Sequence, residues 1–163
     1  MKRGPIDGAV IKELVRYPDE RGFFQELIRA SDPFFTTGFA QLSWCRRREG
    51  TVTAWHVHPN QWDWWFVPRG VIKAVLHDLR EHSSTKGNTL EIYLGENTSE
   101  KILAIPNGVA HGYKVIEGPM ELFYITSSEY NRGHPAPPEG EEGRLPFDDA
   151  TIGYDWSSRD PIR

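Results

Sequence analysis

The sequence contains very little cysteine, no large excess of charge and no long apolar segment. Only one of its 163 residues, Cys45, is a cysteine, which excludes an internal disulfide and favours a reducing compartment. The formal net charge of −4 provides no basic surface for nucleic acid. No apolar run approaches the roughly 20 residues that span a bilayer. We therefore expect a cytoplasmic protein that binds neither nucleic acid nor membranes.

Sustained helical periodicity is also lacking, and the pattern is that of strands. Residues 39–44 and 71–78 alternate between apolar and polar side chains, as half-buried strands do. Turn-forming residues separate such runs, for example at 68–70 and at 117–119. Many short strands at regular spacing predict an all-β sandwich or barrel.

The length of the chain fits one domain, residues 1–163, without internal repeats. Residues 1–10 are expected to form an N-terminal arm. Residues 133–146 are rich in Pro, Gly and Glu, which predicts a long irregular loop. Residues 147–163 regain apolar side chains, so we expect this tail to pack back on the barrel.

Histidines with strand-like spacing are the most informative feature of the chain. His56 and His58 are two residues apart, so on a strand both side chains point to the same face. Asp63 follows a turn and can face them from the next strand, and His111 follows a later tight turn. Three imidazoles and a carboxylate suit a divalent ion of Zn, Fe, Mn, Ni or Co. A pair of histidines two residues apart, taken alone, is more often hydrogen-bonded or exposed than bound to a metal. The metal hypothesis therefore depends on the spacing of all four residues.

That spacing resembles two sequence motifs of the cupin superfamily. Residues 50–70 follow G-x5-HxH-x4-E-x6-G with aspartate in place of the glutamate, and residues 106–111 follow PxGxxH. Two motifs in this order imply a double-stranded β-helix, the jelly-roll barrel of that superfamily. The same resemblance implies one divalent metal ion and no organic cofactor, with four metal ligands: His56, His58, Asp63 and His111.

A narrower resemblance covers nearly the whole chain. Residues 19–26, DERGFFQE, resemble the DxRGxFxE opening of the dTDP-4-dehydrorhamnose 3,5-epimerase family. The resemblance continues through residues 77–80, HDLR, and 105–113, IPNGVAHGY, and ends at residues 148–156. It implies a homodimeric jelly-roll isomerase that epimerises a nucleotide-linked 4-keto-6-deoxy sugar.

The resemblance also implies roles for individual residues. His56 would remove the proton beside the ketone, Asp149 would orient that imidazole, and Tyr124 would deliver a proton from the opposite face. Imidazole suits the first task because it titrates near neutrality. Six residues would bind the sugar nucleotide, the first of them at the diphosphate: Arg21, Phe24, Glu26, Gln41, His111 and Tyr130.

Two positions depart from the family pattern in the same direction. Asp63 replaces the lysine that the family pattern expects to stabilise the enolate, and His58 replaces a glutamine. A bare carboxylate would repel a developing enolate, whereas a divalent ion bound there could polarise the ketone. If His56 also ligates that ion, it cannot be the base. Tyr124, Tyr130 or hydroxide would then carry the proton.

Three functions stay open from the sequence. The first and best supported is a nucleotide-sugar epimerase or isomerase, with or without the help of a metal. The second is a metal-dependent cupin enzyme, a dioxygenase or an isomerase, acting on a non-nucleotide small molecule, and the third is a non-catalytic sugar-binding cupin. Asp63 and His58 favour the second over the first. Arg21, Tyr124 and Asp149 favour the first over the third.

Overall fold

The computed structural model describes residues 2–98, 100–130 and 143–157. Within them the chain forms eleven β-strands and no helix, which confirms the all-β class. None of these residues therefore forms a helix that could cross a membrane. Most of the loop expected at 133–146, and the end of the tail, lie outside the described residues. The strands in chain order are β1 (Lys2–Arg3), β2 (Val10–Glu13), β3 (Arg16–Asp19), β4 (Gly22–Gln25), β5 (Gln41–Arg47), β6 (Val52–Val57), β7 (Asp63–Asp78), β8 (Asn88–Gly95), β9 (Lys101–Ile105), β10 (Val109–Thr126) and β11 (Gly143–Arg144).

Two long strands, β7 and β10, organise the fold. β7 has 16 residues and β10 has 18, and the two pair antiparallel along most of their length. Their register shifts several times between Val115 and Phe123, and the pair bends at these irregularities. The turns expected at 68–70 and 117–119 lie inside these continuous strands. The irregular pairing lets both strands bend there while the hydrogen bonds between them continue.

The two halves of this long pair have different neighbours. In one half, β8 pairs with β7 through residues 71–77 and β6 pairs with β10 through residues 111–114. In the other half, β9 pairs with β7 through residues 63–65 and β5 pairs with β10 through residues 120–126. The result is two curved layers that share β7 and β10, the double-layer arrangement of a jelly roll.

The main core lies between these layers. Ile72, Leu94 and Leu103 are fully buried in it, one each from β7, β8 and β9. Burying such a side chain stabilises the fold by roughly 1.5–3 kcal/mol relative to leaving it exposed. Val109 and Tyr113 of β10 also belong to this core, so alternate residues of β10 face inward.

The C-terminal segment packs on the outer side of β6. Ile152, Tyr154 and Trp156 are buried there in one cluster with Trp55. The rings of Trp55 and Trp156 have centroids 5.0 Å apart. The Trp156 indole donates a hydrogen bond of 3.0 Å to the backbone carbonyl of Phe147. An aromatic cluster thus attaches this segment to the sheet.

The N-terminal residues join the sheets. β1 pairs in parallel with β8, β2 pairs antiparallel with β9, and Ile6 between them is only 4% exposed. The next strands, β3 and β4, form a separate hairpin that pairs with no other strand of the described chain. This hairpin exposes the aromatic rings of Tyr17, Phe23 and Phe24.

Replacing Trp156 by alanine should lower the free energy of unfolding by about 3 kcal/mol, because it removes buried area and leaves a cavity. Urea denaturation followed by circular dichroism measures the change. Val15→Ala, at a position 59% exposed, is the control and should change stability by less than about 0.5 kcal/mol. A loss below about 1 kcal/mol for Trp156→Ala would show that the C-terminal segment adds little to the folded core.

Candidate active site

The three histidines of the two motifs come together beside the inner core. His56 lies on β6, His58 directly follows that strand, and His111 lies on β10 opposite His56. Ring centroids are 6.3 Å apart for His56 and His58, 6.1 Å for His56 and His111, and 5.2 Å for His58 and His111. Strand alternation and the pairing of β6 with β10 therefore bring all three imidazoles to one place.

A glycine next to His111 permits this close pairing. A Cβ atom at Gly112 would lie 2.5 Å from the Cβ of Ala54 and 2.7 Å from the carbonyl oxygen of Thr53. Both distances are far shorter than van der Waals contact, so any side chain would push β6 away from β10. Gly112 therefore sets the distance between the strands that carry His56 and His111.

The turn before β10 holds the two motifs together. The Gly108 amide donates a hydrogen bond of 2.7 Å to the carbonyl of His58. The side-chain amide of Asn107 donates one of 2.8 Å to the carbonyl of Pro59. Gly108 has a φ of 76°, a left-handed conformation that favours glycine. This turn therefore positions the backbone from which the His58 side chain extends.

Asp63, the first residue of β7, faces two of the histidines. It is 5% exposed, with Oδ1 at 4.0 Å from His58 Nε2 and Oδ2 at 3.8 Å from His111 Nε2. The side-chain amide of Gln61 donates to Oδ1 at 2.7 Å, and the indole of Trp65 donates to Oδ2 at 3.3 Å. Burial raises the pKa of Asp63, although the charge of His58 and these two hydrogen bonds oppose the rise.

Hydrogen bonding determines the tautomer of His111. Its Nδ1 lies 3.0 Å from the carbonyl oxygen of Val109, so Nδ1 carries the proton and Nε2 presents its lone pair towards Asp63. Burial, with repulsion from His58 and His56, holds the pKa of His111 well below its usual range. A neutral imidazole with an inward lone pair is the form that binds metals.

Three of these groups could share one metal ion. The ligand atoms of His58, Asp63 and His111 all lie within 4.8 Å of one another, and all three side chains are buried. Two imidazoles and a carboxylate suit zinc and the other borderline divalent metals. The imidazole of His56, the fourth expected ligand, lies beside this group and is not one of its three members.

Other expected site residues lie along the second half of β10. In the strand pairing, Tyr124 lies between Ser43 of β5 and Trp65 of β7. Gln41 begins β5, and its side-chain amide donates a hydrogen bond of 2.7 Å to the Ser43 hydroxyl. Its side-chain carbonyl accepts one of 2.9 Å from the backbone amide of Tyr130. Tyr124, Gln41 and Tyr130 thus occupy neighbouring positions.

The remaining expected substrate residues lie on the hairpin and just after it. Arg21 pairs with Asp19 at 2.7 Å, Phe24 is 63% exposed, and Glu26 pairs with Arg29. Within the described part of the chain, these polar contacts are local to the segment. The structure therefore does not join Arg21, Phe24 or Glu26 to the histidines of the same chain.

Asp149 accepts hydrogen bonds within a turn of the C-terminal segment. Its Oδ1 accepts them from the Thr151 hydroxyl, from the Thr151 amide at 2.9 Å and from the Ile152 amide at 3.4 Å. The Thr151 hydroxyl contributes most to lowering the pKa of Asp149. Among the described residues its hydrogen bonds stay in this turn, and its role in orienting His56 stays a prediction.

Sequence reasoning missed the residues that orient the carboxylate. Gln61 and Trp65 each donate a hydrogen bond to Asp63. The one available signal was position, because Trp65 lies two residues after Asp63 on a strand and shares its face. No sequence signal points to the Ser128 hydroxyl, which donates a hydrogen bond of 2.6 Å to the side-chain carbonyl of Gln61.

A jelly-roll barrel with a histidine-rich inner site is the architecture of a cupin-type protein. The sequence profile of dTDP-4-dehydrorhamnose 3,5-epimerase matches residues 3–162 of the chain. The chain therefore belongs to the dTDP-4-dehydrorhamnose 3,5-epimerase family, as the resemblance predicted.

Individual relatives agree with this assignment. The spore coat polysaccharide biosynthesis protein SpsL of Bacillus subtilis is 44% identical over 154 residues, or 94% of this chain and 97% of that protein. A dTDP sugar isomerase from Desulfovibrio desulfuricans is 28% identical with a TM-score of 0.84, over 95% of this chain and 94% of that one. A dTDP-6-deoxy-D-glucose-3,5-epimerase from Legionella pneumophila, solved with dTDP-4-keto-L-rhamnose, is 25% identical with a TM-score of 0.81, over 99% of this chain and 85% of that one. These likenesses confirm the predicted fold.

Replacing Asp63 by asparagine should stabilise the protein when a chelator is present. Because the folded pKa of Asp63 is raised, ionising the carboxyl costs stability above its unfolded pKa of about 3.9. Asparagine avoids that cost, and its amide can donate to the lone pair of His111. The gain should be near zero at about pH 4 and increase as the pH rises towards neutrality.

Urea denaturation at a series of pH values measures this difference. Asp148→Asn, at an exposed position, is the matched control. A variant at position 63 that is no more stable than the wild type at neutral pH would contradict the expectation.

Proposed function

We propose that the protein epimerises a nucleotide-linked 4-keto-6-deoxy sugar of the dTDP type. The observation that carries this proposal is the family match across residues 3–162. The cluster of imidazoles that β6 and β10 bring together is suited to proton transfer beside a ketone. The dTDP-linked sugar in the Legionella structure supports the same substrate class.

His56 is the proposed base. Removing the proton from the carbon beside the ketone moves the C–H electron pair into an enolate. Neutral imidazole suits this step because its ordinary pKa lies at about 6.5. A proton returned from the opposite face inverts the carbon, and we assign that proton to the phenol of Tyr124. Asp149 is proposed to orient His56 when substrate is bound.

Substrate binding is assigned to the hairpin as well as to the barrel. Arg21 suits a diphosphate because its guanidinium is a rigid fork of donors, and its side chain is 82% exposed. Phe24 offers an exposed aromatic face to the nucleobase or the sugar. The rest of the substrate is expected to contact four other residues: Glu26, Gln41, His111 and Tyr130.

We further propose a homodimer in which the hairpin of one chain completes the cleft of the other. Arg16 and Gln25 link the hairpin to Glu100 of the same chain, yet the hairpin leaves three aromatic rings exposed. A second apolar stripe lies on β5 and β10, where Leu42, Trp44 and Phe123 are exposed. Two such surfaces indicate a protein partner. Docking would bring Arg21 and Phe24 to histidines that they do not contact in their own chain.

Sedimentation equilibrium at micromolar concentration should show a dimer. An obligate interface of this kind buries on the order of 2,000 Å² or more. Trp44→Lys should weaken the dimer by about 10-fold or more, because a charge replaces an exposed aromatic ring of the proposed interface. Phe147→Lys, at an exposed site outside both the hairpin and the apolar stripe on β5 and β10, is the control. A wild-type monomer at these concentrations would exclude the proposed assembly.

We place the protein in the cytoplasm. Its one cysteine, Cys45, is a free thiol packed against the main core, which is compatible with a reducing compartment. The partner that we propose besides a second copy of the chain is a small molecule. Neither nucleic acid nor a membrane surface is proposed, in keeping with the net charge of −4.

A second candidate function is a metal-dependent cupin enzyme, a dioxygenase or an isomerase, acting on a non-nucleotide small molecule. The observation that favours it is the buried group of His58, Asp63 and His111. The metal would be a divalent ion of Zn, Fe, Mn, Ni or Co. The same ion could assist the epimerase reaction, and neither candidate needs an organic cofactor.

Deuterium uptake tests the epimerase. Incubation with a dTDP-linked 4-keto-6-deoxy sugar in D2O should place deuterium on a carbon beside the ketone, as followed by NMR. His56→Gln should slow uptake by about 10²- to 10⁴-fold, because glutamine cannot accept the proton. Tyr124→Phe should retain exchange at that carbon but lose net inversion, because the base is intact.

The control for these variants is His82→Gln, an exposed histidine on the turn after β7, which should behave as the wild type. Absence of uptake by the wild type on every sugar of this class, with divalent ion supplied, would reject the epimerase. The second candidate function would then stand.

A further inference from the structure

Two electron-rich atoms face each other inside the histidine group. His111 Nε2 presents a lone pair, since its Nδ1 proton is donated to Val109, and it lies 3.8 Å from Asp63 Oδ2. Each Asp63 oxygen accepts one hydrogen bond from another residue and keeps lone pairs for further contacts. Facing acceptors in a buried site are unfavourable unless a proton or a cation lies between them.

His58 completes this arrangement from a third direction. Its Nε2 lies 4.0 Å from Asp63 Oδ1, which is beyond hydrogen-bond range. The ligand atoms of His58, Asp63 and His111 lie within 4.8 Å of one another. Three buried ligand atoms therefore surround one small volume.

Neighbouring hydrogen bonds fix the direction of the carboxylate. Gln61 donates to Asp63 Oδ1 at 2.7 Å and in turn accepts from the Ser128 hydroxyl at 2.6 Å. Trp65 donates to the other oxygen at 3.3 Å. Partners of this kind orient metal ligands and raise metal affinity. The carboxylate is thus oriented by the fold itself.

We propose that His58, Asp63 and His111 form a three-ligand site for one divalent transition-metal ion, and that His56 stays outside the site as the base. This proposal rests on the epimerase function and supplies the electrophile which that function requires. Three protein ligands leave a coordination position for the substrate, as in catalytic zinc sites.

Because His56 is separate from the three proposed ligands, one site can both bind a metal ion and remove a proton. An imidazole whose lone pair binds an ion cannot accept a proton. His56 is not one of the three residues whose ligand atoms converge, and its ring centroid lies 6.3 Å and 6.1 Å from those of His58 and His111. The chain can therefore hold a cation and keep a base next to it.

A cation bound by these three residues would also offset the unfavourable negative charge of Asp63. Asp63 stands where the family pattern expects the lysine that stabilises the enolate. An ionised carboxylate alone would oppose negative charge developing on the sugar. A bound divalent ion supplies Lewis-acid polarisation of the ketone. Asp63 then contributes by holding that ion instead of by facing the enolate.

The three ligand atoms lie farther apart than they would around a bound ion. Around a tetrahedral ion with bonds of about 2.1 Å, ligand atoms are about 3.4 Å apart. Asp63 Oδ2 lies 3.8 Å from His111 Nε2 and Oδ1 lies 4.0 Å from His58 Nε2, and one ligand atom from each residue lies within 4.8 Å of the others. Binding an ion would therefore draw the three side chains inward.

The first experiment measures metal binding without any sugar. Tag-free full-length protein, stripped with chelator and dialysed, is titrated with Co²⁺ alone and followed by visible absorption and calorimetry. The wild type should bind one equivalent, and its cobalt bands should show nitrogen and oxygen ligands in a site of low coordination number. Binding of less than a tenth of an equivalent at micromolar Co²⁺ would overturn the proposal.

Variants then identify the ligands. His58→Gln and Asp63→Asn should each weaken Co²⁺ binding by at least about 100-fold, since loss of a ligand costs more than loss of a residue that orients one. Gln61→Ala should weaken it by about 10-fold through loss of that orientation. His82→Gln should bind as the wild type, and circular dichroism confirms that each variant is folded. Should His56→Gln lose binding as fully as His58→Gln, His56 would be a ligand and the proposal would fail.

The second experiment measures Co²⁺ binding and deuterium uptake in the same variants. His56→Gln should keep one equivalent of Co²⁺ and lose deuterium uptake, whereas His58→Gln should lose both. Asp63→Lys should also lose both, by at least about 100-fold in uptake. Faster uptake in Asp63→Lys than in the wild type would overturn the proposal, because it would show a metal-free reaction. A wild type that binds Co²⁺ but never exchanges the sugar would reject the epimerase and leave the metal site standing.

Discussion

Strand β10 pairs with β7 over most of its length, with β6 near its start and with β5 near its end, and the site depends on these pairings. The first part of β10 places His111 opposite His56, and the second part places Tyr124 between β5 and β7. Because side chains alternate along a strand, a slip of one residue would turn His111 to the outer face. Gly112 also maintains the pairing of β6 with β10, because only a residue without a side chain lets β6 approach so closely.

Much of this arrangement could be predicted from the sequence. The spacing of His56 and His58 indicated a shared strand face, and the second motif indicated that His111 would join them. Both inferences use only alternation and motif order, which are local properties of the chain. The family assignment rested on short ordered motifs and is confirmed across residues 3–162. The jelly-roll fold followed from the same motifs.

The rest could not be predicted because it depends on contacts between distant segments. The residues at 68–70 and 117–119 look like turns, yet β7 and β10 run through them, since each strand stabilises the irregular backbone of the other. The hydrogen bond from Ser128 to Gln61 joins positions 67 residues apart and has no local signature. The tautomer of His111 depends on a backbone carbonyl, which carries no information about residue type.

Under the proposed metal site, Asp63 and His58 form one coupled departure from the family pattern rather than two separate ones. With Asp63 but without His58, only His111 of the proposed ligands would accompany the carboxylate, and the site would hold a buried negative charge opposite the reaction it must assist. With a histidine added beside a lysine, the site would gain an imidazole next to a cation that repels any metal ion. Together, in this proposal, they replace a side chain with a fixed positive charge by ligands for a bound ion. Gln61 and Trp65 fit this view, because each donates a hydrogen bond to one Asp63 oxygen, and these oxygens lie 4.0 Å and 3.8 Å from His58 and His111. In this proposal the barrel keeps the family's scaffold while the source of electrophilic charge changes from a side chain to an ion.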